Sequence, residues 1–213
     1  MPSIKFYYAS GSCSLAPHIL LREIGAEFDG VNIGDLRFKA IPEEFRRVNP
    51  KMRVPVLAID ENTITELPAI ATMIASLAPE RNLLGRTTLE TVRIYEWMNW
   101  LSGTVHSLAF KLVFRPLKFT TDPAGGDGIE AKAREFVAEC LDLLESKLDG
   151  VYAVGGAFTV VDPYLFVFYR WGNSIGLNMK EKYPKYASLV INLVEKHPSV
   201  KAALEVEGID STL

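Results

Sequence analysis

Cysteine and histidine are both scarce in this chain: its 213 residues hold two of the first, Cys13 and Cys140, and three of the second, His18, His106 and His197. They fall in no metal-like spacing, which argues against a structural metal, and two distant cysteines make no disulfide framework. Surplus basic charge is missing as well. With 23 Lys and Arg against 26 Asp and Glu, the formal net charge is −3. No basic excess is left to neutralise a phosphate backbone, so nucleic acid is not an expected partner. Nor is there a long apolar run. The longest such stretch, around "YLFVFYRW", is too short to span a bilayer, and the opening "MPSIKFYYASG" lacks the apolar segment of a secretory signal. No membrane association is expected, and a cytoplasmic location is. What remains is an ordinary globular composition, 48% hydrophobic and 23% charged, in a chain long enough to bury a core without staples.

The N-terminal part alternates between two periodicities. "IKFYYA" is aromatic and branched and reads as a strand, whereas Leu15, Ile19, Leu20 and Ile24 recur at helical spacing and Gly25 sits where a helix C-cap belongs. "EFDGVNI" reads as a second strand and "IPEEFRRVN" as a short helix. "VPVLAID" and "TIT", separated by "EN", form a hairpin signal, and the helix "LPAIATMIASLA" follows. The order β-α-β-α-β-β-α predicts a compact α/β domain over residues 1–79. The polar, turn-rich "APERNLLGR" marks a linker, placed at 80–88, and residues 89–213 carry no convincing strand pattern, which predicts an all-helical domain.

Within that second domain, Ile129, Ala133, Phe136, Cys140 and Leu144 share one helical stripe, which makes Cys140 an inert core thiol. In "GGAFTVVDPYLFVFYRWGN", Thr159 is a candidate N-cap and Asp162 can reach back to free N–H groups, with Phe158 and Pro163 flanking them as a staple. Tyr164 to Trp171 are apolar nearly all round, so this helix should be the buried centre and Asp162 a structural group.

The stretch "ASGSCSLAPH" sets a cysteine between two serines at a strand-to-helix junction. Free N–H groups at a helix start favour a thiolate, so Cys13 is a candidate reactive centre; Ser12 is a preferred cap residue whose hydroxyl is a second candidate donor. His106, alone in "GTVHSLAF", is a candidate only through its near-neutral titration.

Three further motifs carry a resemblance: "NPKMRVPVL" from Asn49, "TELPAI" from Thr65 and "FTVVDPYL" from Phe158. In this order, behind a β-α-β-α-β-β-α domain and before a helical one, they resemble the cytosolic glutathione transferases over essentially the whole chain. "FYYASGSCSLAPHILLREIG" is similar to the first motif of the bacterial beta class, a type with fungal relatives. The resemblance implies a thioredoxin-like α/β N-terminal domain plus an all-α C-terminal domain. It implies glutathione as co-substrate, no metal, a small hydrophobic electrophile as second substrate, and a homodimer active in detoxification.

It also implies roles for named residues. Cys13, then Ser12, then Tyr8 are ranked as the group that contacts the glutathione sulfur, with His106 reaching over from the second domain. Val54, before a cis Pro55, presents its backbone to the cysteinyl part. Glu66 receives the γ-glutamyl amino group, at a helix start where Leu67 replaces the family's usual serine or threonine. Arg37, Lys39 and Lys51 are candidates for the glycine carboxylate, and Trp100, Leu108 and Trp171 for the electrophile site. Cys13 also admits thiol exchange or peroxide reduction. Two alternatives follow from the same residues: a non-catalytic binding protein of this fold, weakened at Leu67, and a glutathione-dependent isomerase, for which Lys111 and Arg115 are the cations on offer.

Overall fold

The computed structural model describes residues 2–34, 36 and 40–210. Its N-terminal part is a sheet of order β2-β1-β3-β4, built from β1 (Ile4–Tyr8), β2 (Asp29–Asn32), β3 (Val56–Ile59) and β4 (Asn62–Thr65). β1 runs parallel to β2, with Phe6 opposite Gly30, and antiparallel to β3, with Tyr7 opposite Val56. The parallel pair needs a crossover, supplied by α1 (Leu15–Glu23). α1 stops as its sequence demands: Gly25 takes φ +68°, its N–H donates to Arg22 O and that of Ala26 to Leu21 O, the paired bonds of a Schellman end. Alternation along β1 sends Phe6 and Tyr8 toward His18 of α1 and Tyr7 toward Phe45 on the other side.

α2 (Leu67–Leu77) closes this layer. The short helix expected in "IPEEFRRVN" is a 3-10 segment, Glu43–Arg47, with only Phe45 buried, because one apolar anchor among charged neighbours is too little for an amphipathic helix.

The rest of the described chain is helical. α3 (Thr88–Trp100) opens with a capping box: Thr87 Oγ1 accepts from Glu90 N at 3.2 Å and Glu90 Oε2 accepts from Thr87 N at 3.1 Å. It runs without a break into a π-helical segment, Leu101–Phe110, and on into α4 (Lys111–Phe114). The sequence announced the helix but not its wider turn, which has no local signature. α5 (Gly126–Lys147), α6 (Val161–Ser174), α7 (Met179–Lys182), α8 (Pro184–Lys196) and α9 (Pro198–Glu207) complete the order.

α6 is buried along most of its length, and Cys140 lies in the core of α5. Asp162 reaches back as expected: its Oδ2 accepts from Thr159 N at 2.7 Å and from the Thr159 hydroxyl at 3.0 Å, and its Oδ1 from Ala153 N at 2.8 Å. The helix starts later than the sequence suggests, at Val161, and Phe158 stacks on His197 at 4.3 Å. α1 packs against both α6 and α9, so the loop that precedes α1 is pressed between the sheet and the helices.

Candidate functional site

The loop from Ala9 to Ser14 is tied down by its own serines. Ala9 N donates to Ser14 Oγ at 3.1 Å, Ser14 Oγ donates to Ala9 O at 3.2 Å, and Ser12 Oγ lies 2.7 Å from Ser14 Oγ while accepting from Ser14 N. A hydroxyl has one proton. Either hydroxyl can donate in the Ser12–Ser14 contact, and Ser14 can also donate to Ala9 O. Ser12 is therefore bonded within its own loop, and the N-cap of α1 falls at Ser14 rather than at Ser12 as expected.

The helical domain anchors the same loop. Gly11, at φ +73°, donates its N–H to Glu207 Oε2 of α9 at 2.9 Å, and its carbonyl accepts from Trp171 Nε1 of α6 at 3.0 Å. His18 Nδ1 lies 2.8 Å from Glu207 Oε1, and Arg22 Nε donates to His18 Nε2 at 3.0 Å. With Nε2 accepting, Nδ1 carries the proton and donates to the carboxylate. Tyr8 belongs to this buried cluster: its ring lies 5.0 Å from that of His18 and 5.8 Å from that of Phe6, and burial, then Glu207, pushes its phenol pKa upward. No hydrogen bond joins Tyr8 to Cys13 among the described residues.

Cys13 points the other way, across to the turn before β3. Its Sγ donates to Val54 O at 3.6 Å, and the Val54–Pro55 bond is cis. Val54 stands just outside the paired register, which begins at Val56 opposite Tyr7. The expected activation of the thiol is not what this setting does. Burial pushes Cys13 up to about 12, outweighing its backbone hydrogen bond and the nearby Arg53, so the resting group is S–H.

Glu66 stands at the start of α2 with φ +71°, and Lys51 Nζ reaches its Oε1 at 2.6 Å and Thr65 Oγ1 at 2.8 Å. Lys51 therefore sits at the γ-glutamyl end of the expected site and away from the role first suggested for it. Leu67 is turned into the core. Arg37 and Lys39 lie outside the described residues.

From the helical side, His106 contacts the rings of Trp171 at 5.2 Å and Phe168 at 6.2 Å, and Tyr164 OH lies 3.3 Å from its Nδ1. Burial, then Lys111 and Arg53, lowers His106 to about 4. It is neutral at physiological pH, so its near-neutral titration, the physical reason for choosing it, is absent. Tyr164 is driven well above its ordinary value by burial, then by Cys13. Trp171 faces His106, Phe110 and Phe114 as a wall, whereas Trp100 packs on Trp97 at 5.9 Å and Leu108 is exposed.

The structure thus joins Cys13 to Val54 and, separately, His106 to Tyr164 and Trp171; Tyr164 and Arg53, the latter a charge that acts on both Cys13 and His106, were missed by sequence reasoning. Arg53 was legible only as the neighbour of Val54. Glu207 and Tyr164 lie 194 and 151 positions from Cys13, counted along the chain, and no local pattern links them.

Comparison with known proteins agrees with this geometry. Residues 11–77 match the family model of the glutathione S-transferase N-terminal domain, and residues 123–202 that of the C-terminal domain. Glutathione S-transferase GstA of Escherichia coli O157:H7 is 34% identical over 211 residues, covering 97% of this chain and all of the relative. The beta-class glutathione S-transferase of Sphingomonas chungbukensis superposes with a TM-score of 0.84 at 36% identity, over 97% of this chain and all of that one. A glutathione transferase homologue from Sulfitobacter, solved with bound glutathione, gives 0.87 at 27% identity, over 99% of this chain and all of that one. With both domain models matched and relatives this similar along its full length, the chain belongs to the glutathione S-transferase family.

Proposed function

We propose that this glutathione transferase joins the thiol of glutathione to small apolar electrophiles in a cleft between sheet and helices, with Cys13 as a neutral hydrogen-bond donor. The observation that carries this reading is the Cys13 S–H directed at the Val54 carbonyl beside the cis proline. Glutathione lying along Val54 would add a short extended segment there, as peptides do at sheet edges. Its amino group would meet Glu66, which Lys51 now neutralises. Its sulfur would meet Cys13.

A donor that bonds the charged form of a thiol lowers that thiol's pKa. Cys13 can do this while remaining protonated, its S–H turning from the Val54 carbonyl to the glutathione sulfur and the glutathione proton leaving to solvent. The neutral His106 ring contributes hydrogen bonding without charge. Thiol exchange or peroxide reduction at Cys13 itself would need a protein thiolate, which burial disfavours. The relatives that cover the chain most fully carry the transferase name, and none of this favours the non-catalytic alternative.

The homodimer is part of the proposal. Leu89, Val92 and Tyr95 form an exposed apolar stripe at helical spacing on α3, a surface that a second copy would cover. A cytoplasmic detoxifying role fits two free buried cysteines.

Calorimetry with glutathione tests the binding half: a clear isotherm is expected, and no heat at millimolar ligand overturns it. Cys13→Ala tests the chemistry. Losing a hydrogen bond to a charged sulfur costs about 1.5–3 kcal/mol, so conjugation of a chloronitrobenzene should fall about ten-fold to a hundred-fold. An undiminished rate would pass the role to another donor.

A further inference from the structure

An ion pair joins the turn before the cis proline to the start of α2. Lys51 Nζ lies 2.6 Å from Glu66 Oε1 and 2.8 Å from Thr65 Oγ1, and the paired side chains are 52% and 57% exposed. Partners in so exposed a pair are exchanged at little cost. The backbone that carries Lys51 is firmly held by contrast. Asn49, buried at 2% exposure, accepts from Lys51 N at 3.0 Å through Oδ1 and donates from Nδ2 to Arg53 O at 2.7 Å, closing the turn just ahead of Val54 and Pro55. Thr65 pairs with Val56, so this turn and the start of α2 stand side by side.

Glu66 decides which end of glutathione can come here. The tripeptide has two carboxylates and one ammonium, and only the ammonium suits an acid. That ammonium sits on the α-carbon of the γ-glutamyl residue, which carries one of the carboxylates as well. The glycine carboxylate, arriving alone, would meet Glu66 as a like charge. Seating the ammonium on Glu66 displaces Lys51 and in the same event offers it an anion, so one ion pair becomes two. The start of α2 has little else to give that carboxylate: Leu67 is buried without a polar side-chain atom, and Pro68 has no N–H. The Thr65 hydroxyl accepts from Lys51 and, among the described residues, has no acceptor for its own proton, which makes it a second donor at this place.

Resting on the transferase reading, we infer that Lys51, with Thr65 beside it, grips the α-carboxylate of the γ-glutamyl residue while Glu66 takes the α-ammonium. The pair then reads the zwitterionic head of the substrate and supplies the donors that Leu67 lacks.

The test follows conjugation of a chloronitrobenzene with three thiols: glutathione, γ-glutamylcysteine, which lacks the glycine carboxylate, and 4-aminobutyryl-cysteinyl-glycine, which lacks only the α-carboxylate. Lys51→Met should raise the KM for the first two by the same factor, about ten-fold, with kcat held, and leave that for the aminobutyryl peptide unchanged. Thr65→Val should repeat the pattern with a several-fold rise, and thermal melts report that both variants fold. A loss in Lys51→Met that spares γ-glutamylcysteine overturns the proposal, because the lysine then serves the glycine carboxylate. So does an equal loss with the aminobutyryl peptide, or no loss with any thiol. Each of these leaves the transferase reading standing. Conjugation of no thiol by the unaltered protein, with no heat from glutathione, overturns the transferase reading itself.

Discussion

The loop Ala9–Ser14 and the start of α2 flank the same turn, one through the Cys13 bond to Val54 and the other through the pairing of Thr65 with Val56. They are held very differently. The loop is fixed by serine bonds from within and by Glu207 and Trp171 from the helical domain, with Ala9, Cys13 and Ser14 buried. The start of α2 presents Glu66 to solvent, held by one ion pair with a flexible lysine whose partners are both exposed. The part that meets the sulfur is preorganised, and the part that meets the amino end is adjustable. The first kind of contact contributes stability and geometry; the second is exchanged for a ligand at little cost, because exposed ion pairs contribute only about 0–1 kcal/mol.

Breaking the rigid side should have the larger effect. Glu207→Ala would leave Gly11 N and the His18–Arg22 pair without their buried acceptor, whose side chain and that of His18 are 0% and 1% exposed. The expected loss is about 3–5 kcal/mol in urea unfolding, the penalty for losing two buried hydrogen bonds to one charged acceptor. A loss under 1 kcal/mol, as an exposed pair would give, would mean the loop holds its shape without α9. On the adjustable side, Glu66→Gln should leave unfolding nearly unchanged and raise the KM for glutathione about ten-fold, the worth of one charged hydrogen bond. If it instead destabilised the fold, the contrast between the two regions would disappear.

A further effect is a pH dependence on the helical wall. Burial and neighbouring cations lower His106 to about 4 in the folded protein, whereas an unfolded histidine titrates near its ordinary 6.5. Between those values the unfolded chain binds the extra proton, so stability falls as the pH drops from 6.5 toward 4. His106→Phe should flatten that part of the curve, read as urea midpoints over this range. An unaltered slope would return His106 to the ordinary titrating groups.

The legible parts of the site were those with local causes. "VPVL" with its proline, the helix start at "TELPAI" and the cap Asp162 each depend on residues within a few positions, and each was found where the pattern put it. The surroundings of Ser12 and Tyr8 depend on contacts that no local pattern reports. Ser12 carries the right hydroxyl, but whether its proton is free depends on Ser14 and Ala9 in three dimensions. Tyr8 ends the right strand, and strand alternation sends it to His18, with Tyr7 on the opposite face. The chemistry of a helix start suggested a lowered thiol pKa, and burial, which no local window reports, reversed the sign.

The sequence by itself determined the order of strands and helices, the turn at Pro55 and the presence of a thiol at the strand-to-helix junction, because periodicity, capping and backbone restriction act over a few residues. Only the tertiary structure decided which carbonyl the thiol meets and which acid anchors the loop. Burial and electrostatics depend on distances in space, and Gly11, His18, Trp171 and Glu207 become neighbours only once the helices close over the sheet.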